Sequence, residues 1–296
     1  MATRVECGVV AGSQAVGAGL WLVHLEAPAL AAAARPGQAL LVRCTDPALP
    51  AGDPFLPRAY FVFAADRRVG RLSLLVEVRG RGSAWLAGRR EGDRVLLHGP
   101  AGREVRPART TRHLLLLAEG AVAVAGTSLL AAEATRARLA VTLIAGGGAG
   151  AAAATVPPEL LPADVEYRVA TPAAGGLLGA LPDALAWADE VVVAAGWPLL
   201  ETLSLLRRAR LEPFTLRASL PVQALPLLAG AGGGDAMPCG SGVCGVCAVA
   251  TGRGHRLACR EGPAFPLEAL RFAPEPEPGE GSEEEDGAPA DGADAR

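Results

Sequence analysis

Four cysteines, Cys239, Cys244, Cys247 and Cys259, stand as Cys-x4-Cys-x2-Cys-x11-Cys in a segment that opens Met237-Pro-Cys-Gly-Ser-Gly-Val-Cys-Gly-Val-Cys. Thiolates that close around one compact centre need a backbone that turns sharply and brings its N–H groups toward sulfur. Gly240, Gly242 and Gly245 permit both. Disulfides are the choice of small secreted domains, whereas this chain has 296 residues and reads as strand-like from its start, with no export signal expected. A structural zinc site also takes four thiolates, usually as two separated Cys-x2-Cys knuckles. The x4, x2 opening is a spacing of 2Fe-2S loops, which is the reading favoured here, with zinc as the rival. Cys7 and Cys44 stand alone and read as small buried hydrophobes.

A 2Fe-2S centre passes electrons one at a time, so the remaining sequence should supply something to exchange them with. From Glu6 to Gly102 short apolar runs alternate with Gly and Pro. Leu20 to Glu26, Ala39 to Cys44, Ala59 to Phe63, Arg71 to Val78 and Arg94 to His98 predict strands of a small antiparallel barrel. From His113 the pattern becomes apolar strand, small-residue turn, helix. Strands are predicted at Leu114 to Ala118, Val141 to Ala145 and Val191 to Ala195, and helices at Val122 to Thr135 and Leu199 to Arg210, the grammar of a parallel α/β domain. The expected division is 1–102 barrel, 103–217 α/β domain, 218–272 cysteine unit and 273–296 disordered acidic tail, the last with nine acids and one Arg.

Composition narrows the function classes. Aromatics are 4% against 37 Gly and 24 Pro, so Ala, Leu and Val must fill the cores. All the basic residues are Arg, which suits phosphate-bearing cofactors, but they form no long run that would argue for nucleic-acid binding. The two most apolar stretches carry Glu119, Trp197-Pro198 and Glu201, so no membrane span is expected and a cytoplasmic location is.

Barrel, α/β domain and cysteine unit in that order resemble the flavin-dependent ferredoxin reductase superfamily, and within it the electron-transfer subunits of NAD-linked dihydroorotate dehydrogenases. The resemblance covers about residues 5–272. Its most specific part is Cys239-Gly-Ser-Gly-Val-Cys-Gly-Val-Cys with the closing Leu257-Ala-Cys-Arg-Glu-Gly-Pro-Ala-Phe, which matches the family's Cys-Gly-x-Gly-x-Cys-x-x-Cys and Cys-x-x-Gly-Pro-x-Phe. The resemblance implies a multidomain β plus α/β fold: an FAD-binding barrel, a nucleotide-binding domain and a small C-terminal 2Fe-2S domain. It implies FAD held by the strand Arg58-Ala59-Tyr60-Phe61 and the turn Gly80-Arg81-Gly82-Ser83, with Glu77 on the neighbouring strand. Arg58 would pair with the diphosphate, Tyr60 would contact ring or ribose, and Gly82-Ser83 would offer N–H donors and a hydroxyl. Phe61 stands where the family has Ser.

The α/β domain departs further from the family. The Gly-Gly-Gly-x-Gly-x-x-Pro turn is replaced by Ala118-Glu119-Gly120-Ala121-Val122-Ala123-Val124-Ala125. The Cys-Gly-Pro-x-Pro-Met-Leu site is replaced by Ala194-Ala195-Gly196-Trp197-Pro198-Leu199-Leu200, and an acidic turn by Ala170 to Gly175. NAD binding is therefore expected to be weakened or lost, with Glu119 set where a phosphate would approach the helix start. Gly146 to Gly150 reads as a flexible loop. The four histidines, His24, His98, His113 and His255, are scattered, and no catalytic acid or base is expected. The implied partner is a catalytic, FMN-containing dihydroorotate dehydrogenase subunit, whose electrons would cross the cluster and FAD to NAD or another acceptor. A reductase subunit of another oxidoreductase complex and a non-catalytic zinc-binding relic are the alternatives.

Overall fold

The structure is a computed structural model that describes residues 4–48, 52–147, 156–211, 220–227 and 237–272. The predicted acidic tail and Gly148 to Gly150 of the glycine loop lie outside the described residues.

Six strands, β1 (Arg4–Gly17), β2 (Leu20–Glu26), β3 (Ala39–Arg43), β4 (Arg58–Asp66), β5 (Arg71–Glu77) and β6 (Arg94–Ala101), close into an antiparallel barrel of order β1-β2-β5-β4-β3-β6. Two short helices interrupt it, α1 (Pro28–Ala33) and α2 (Arg81–Ala87). Five of the strands were predicted. β1 was read only as strand-like sequence without bounds, because just two of its fourteen residues are buried and bulges near Val10 and Ala15 break the alternation that marks a strand. It pairs with both β2 and β6, so it is the strand that closes the barrel and removes the open edges. Val10, Val23, Leu25, Leu40, Val42, Leu72, Leu74 and Leu97 fill the interior, each fully or almost fully buried.

The second layer is a six-stranded sheet of order β14-β11-β10-β7-β8-β9. It is built from β7 (His113–Glu119), β8 (Ala140–Gly146), β9 (Val165–Ala170), β10 (Glu190–Ala195), β11 (Val222–Pro226) and the antiparallel β14 (Phe265–Pro266). Every residue from Leu114 to Ala118 is buried, as a central parallel strand covered on both faces requires. The helices are α3 (Gly120–Arg136), α4 (Gly176–Gly179), α5 (Leu181–Trp187) and α6 (Trp197–Arg208). β11 and β14 fall within the 218–272 segment assigned to the cysteine unit. That unit is thus spliced into the sheet rather than attached after it, a pairing that a five-residue and a two-residue strand do not announce in sequence.

Helix α3 holds the two layers together. Twelve of its seventeen residues are buried, mostly Ala, Val, Gly, Ser and Leu, and it packs between barrel strands β4 and β5 on one side and β7, β8 and β10 on the other. A helix apolar all round belongs in such a position. Its small residues allow close approach: a Cβ on Gly126 would come 3.3 Å from the Phe61 ring, and Ser128 Oγ donates to the Phe63 carbonyl at 2.5 Å. Beneath it, buried Glu190 is satisfied by Ala108 N–H, Thr111 Oγ1 and Gln223 Nε2, which pins the interdomain linker to the sheet. Among the described residues no helix is long and apolar enough to cross a membrane.

The cysteine unit adds a small hairpin, β12 (Ala248–Thr251) and β13 (Gly254–Leu257). It is clasped to the barrel end, where Gly102 N–H donates to Cys259 O at 2.8 Å and Arg103 N–H to Gly262 O at 2.5 Å.

Candidate functional site

The four clustered cysteines converge as two pairs. Cys239 and Cys244 Sγ lie 3.2 Å apart on the loop before β12. Cys247 and Cys259 interact from either side of the hairpin, joined also by Ala258 N–H to Cys247 O at 2.9 Å. Among the described residues no three Cys, His, Asp or Glu side chains gather around a single-ion position. The loop backbone is shaped for this convergence. Gly240 and Gly242 have φ of +62° and +84°, conformations that favour glycine, and a Cβ on them would crowd the side chains of Leu41 and Arg260.

Electrostatics divides the thiols. Burial works to raise Cys239, but the backbone N–H groups of Cys244 and Ser241, with their side chains, outweigh it and bring the thiol down to about 6. Burial, followed by the adjoining Cys247, pushes Cys259 up to about 12. Thiols this close cannot all ionise without a positive centre among them, which a bound metal would supply. Cys247 and Cys259 are buried and Cys244 is exposed, flanked by Val243 and Val246 at 87% and 59% exposure. One edge of the site therefore meets the surface. A cavity of about 710 Å³ adjoins it, lined by Pro100, Gly102, Arg103, Gly240, Ser241 and Arg260 among others.

At the barrel, the structure brings Arg58 and Gly82 together. A Cβ at Gly82 would come 3.0 Å from Arg58 Cγ, so the arginine stem lies directly across the first turn of α2, and its Nη1 donates to Leu56 O at 2.9 Å. The Gly80 to Ser83 segment predicted as a turn opens α2, and the first-turn N–H groups of Arg81, Gly82 and Ser83 have no partner within the helix. An arginine laid across the first turn of a helix at a residue with no Cβ suits a diphosphate. Three expectations meet a different geometry. Ser83 Oγ is buried and spent locally, accepting from Arg79 and Gly80 N–H at 2.9 and 3.1 Å and donating to Gly80 O. Tyr60 points into the barrel, 2% exposed, with its hydroxyl beside the Cys44 thiol. Burial raises both, the thiol to about 11. Ala59 and Phe61 occupy the opposite face of β4 and pack toward α3 and the sheet. Glu77, at the end of β5, is paired with Arg79 at 2.7 Å. Sequence reasoning overlooked Phe55 and Leu56, which stand 76% and 42% exposed on the approach to Arg58. A solvent-facing aromatic in so aromatic-poor a chain was the available signal.

In the sheet, the carboxyl ends of β7 and β10 are joined by Glu119, whose Oε2 accepts the Gly196 N–H at 2.7 Å. The carboxylate thus sits where the sequence placed a negative charge, and it is held there.

Residues 235–271 match the family model described as the iron-sulfur cluster binding domain of dihydroorotate dehydrogenase B. Over 259 residues the chain is 27% identical to the electron transfer subunit of dihydroorotate dehydrogenase B (NAD(+)) from Desulforamulus reducens, covering 83% of this chain and 90% of that protein. Among solved structures it is similar to a chain of an NADH-dependent reduced ferredoxin-NADP oxidoreductase, with TM-score 0.69, 20% identity and 89% of each chain covered. It is also similar to the ferredoxin reductase in carbazole 1,9a-dioxygenase, with TM-score 0.54, 22% identity, 72% of this chain and 66% of that one covered. The barrel, α3 and the parallel sheet thus form a ferredoxin-reductase-like fold, and residues 235–271 are similar to the iron-sulfur cluster binding domain of dihydroorotate dehydrogenase B.

Proposed function

We propose that the chain is an electron-transfer subunit that carries a 2Fe-2S cluster on Cys239, Cys244, Cys247 and Cys259 and FAD against the barrel, and that it serves a separate dihydroorotate-oxidising subunit containing FMN. The observation that carries this reading is the paired convergence of four thiols at the barrel end with one edge at the surface. Two pairs of thiols suit a two-iron centre, and the likeness to a dihydroorotate dehydrogenase B electron transfer subunit over 83% of the chain supports the partner assignment.

Each residue has a defined task in this reading. Gly240 and Gly242 let the loop wrap so that backbone N–H groups face sulfur, which stabilises negative charge on the thiolates. Gly102 and Arg103 bind the loop carrying Cys259 to the barrel and so fix the distance between the two cofactor sites. Arg58 and the first turn of α2 hold the FAD diphosphate, while Phe55 and Leu56 offer apolar cover. When bound, the cluster supplies single-electron passage and the flavin exchanges one-electron for two-electron steps. No side chain here needs to move a proton on the substrate.

Anaerobic purification followed by iron, sulfide, zinc and flavin analysis tests this. About two irons and one FAD per chain are expected, with the cluster bleached by dihydroorotate only when the copurified partner is present. Stoichiometric zinc without flavin would replace this reading with a structural four-cysteine site. A normal cluster and FAD with a different copurifying oxidoreductase would move the chain to another complex.

A further inference from the structure

In an open parallel sheet, ligands enter where the strand order reverses, in the crevice beyond the carboxyl ends of the two strands at that point. Here the reversal lies between β7 and β10, since the chain runs from β7 to β8 and β9 on one side and returns to β10 and β11 on the other. Glu119 ends β7 and Gly196 follows β10, so the 2.7 Å hydrogen bond from Gly196 N–H to Glu119 Oε2 spans this crevice. We infer that Glu119 is a specificity-determining residue: its carboxylate takes the anion position of the crevice and excludes phosphate-bearing dinucleotides such as NADH.

Independent features agree. The crevice, about 300 Å³, is walled by Pro172, Leu177, Leu178, Pro198 and Leu199, and among the described residues none that lines it is basic. Three groups at the crevice are closed to a phosphate: Gly196 N–H is taken by Glu119, Pro198 has no N–H, and Thr202 Oγ1 donates to Pro198 O at 2.9 Å. A diphosphate would have to displace the carboxylate from its donor and then face it across an apolar pocket. The fold is retained while a carboxylate stands at the helix start where a phosphate would approach.

The inference deepens the proposed electron route by removing one class of acceptor, yet it rests on the α/β domain alone. Calorimetric titration of the full chain with NADH reads it directly, and the metal and flavin analysis reads the rest separately. The wild-type protein should show no binding up to about 1 mM. Glu119→Gly should bind at least about 10-fold more tightly, and Glu119→Gln, which keeps an oxygen for Gly196 N–H but loses the charge, should fall between. Micromolar binding by the wild type would overturn the inference. So would folded variants, verified by circular dichroism, that bind no better than wild type. Should Glu119→Gly fail to fold, the isosteric Gln variant decides the same question.

Discussion

The cysteine loop and the switch-point crevice are both irregular backbone at the ends of strands, and both are places where a fold of this kind carries a ligand. In the loop, φ values and missing Cβ atoms are tuned to one purpose, and each backbone detail supports convergence of four thiols. In the crevice one carboxylate instead consumes the Gly196 N–H, a donor that an anion would use. The contrast teaches that a scaffold and its sites are separable: the sheet is held by buried Leu and Val on β7 and β10, whose packing does not depend on what stands at their ends.

The largest effect should come from breaking the loop. Cys244→Ser is expected to reduce bound iron to background while flavin content stays near that of the wild type, read by metal analysis and the visible spectrum. Retained iron would remove Cys244 from the ligand set. Arg58→Ala should reverse the pattern, with most flavin lost on gel filtration and iron unchanged, and normal flavin occupancy would contradict the barrel cradle. Gly126→Val should touch neither site. Crowding Phe61 and Leu225 should cost about 1–3 kcal/mol, seen as a lower urea midpoint with iron and flavin per folded chain unaltered. The smallest effect concerns acid. Burial lowers both His24 and His98 below their ordinary value of 6.5, with Arg71 adding to the shift at His24. Both fold more readily neutral, so they contribute stability above about pH 6.5 that is lost as pH falls through their lowered values. Replacing both with Gln should flatten the urea midpoint between pH 7 and 5, and an unchanged slope would exclude them as the source.

Much of this was legible in the residues, and what was not has physical causes. The cysteines announced themselves because ligand spacing is local in sequence. The strand–helix order from Leu114 to Arg136 was readable because α3 and β7 are long apolar runs. β1 showed no bounds because its pairing, not its side chains, defines them, and β14 was hidden because two residues carry no period. The cofactor strand shows the limit most clearly. The pattern Arg58-Ala59-Tyr60-Phe61 placed Arg58 beside Gly82, but which way Tyr60 turns is set by alternation within a closed barrel, and that directs it inward against Cys44. Glu119 was singled out from its charge. Its bond to Gly196, 77 residues away, required the sheet order.

Helix α3 carries one further consequence. Because it is buried against the barrel on one flank and the sheet on the other, it is a wall common to two rooms, and neither side can slide without shearing the contacts of Phe61, Ser128 and Leu129. The molecule is therefore wired like a fixed conductor rather than a swinging arm. The amides of α3 should accordingly be among the last to exchange with solvent.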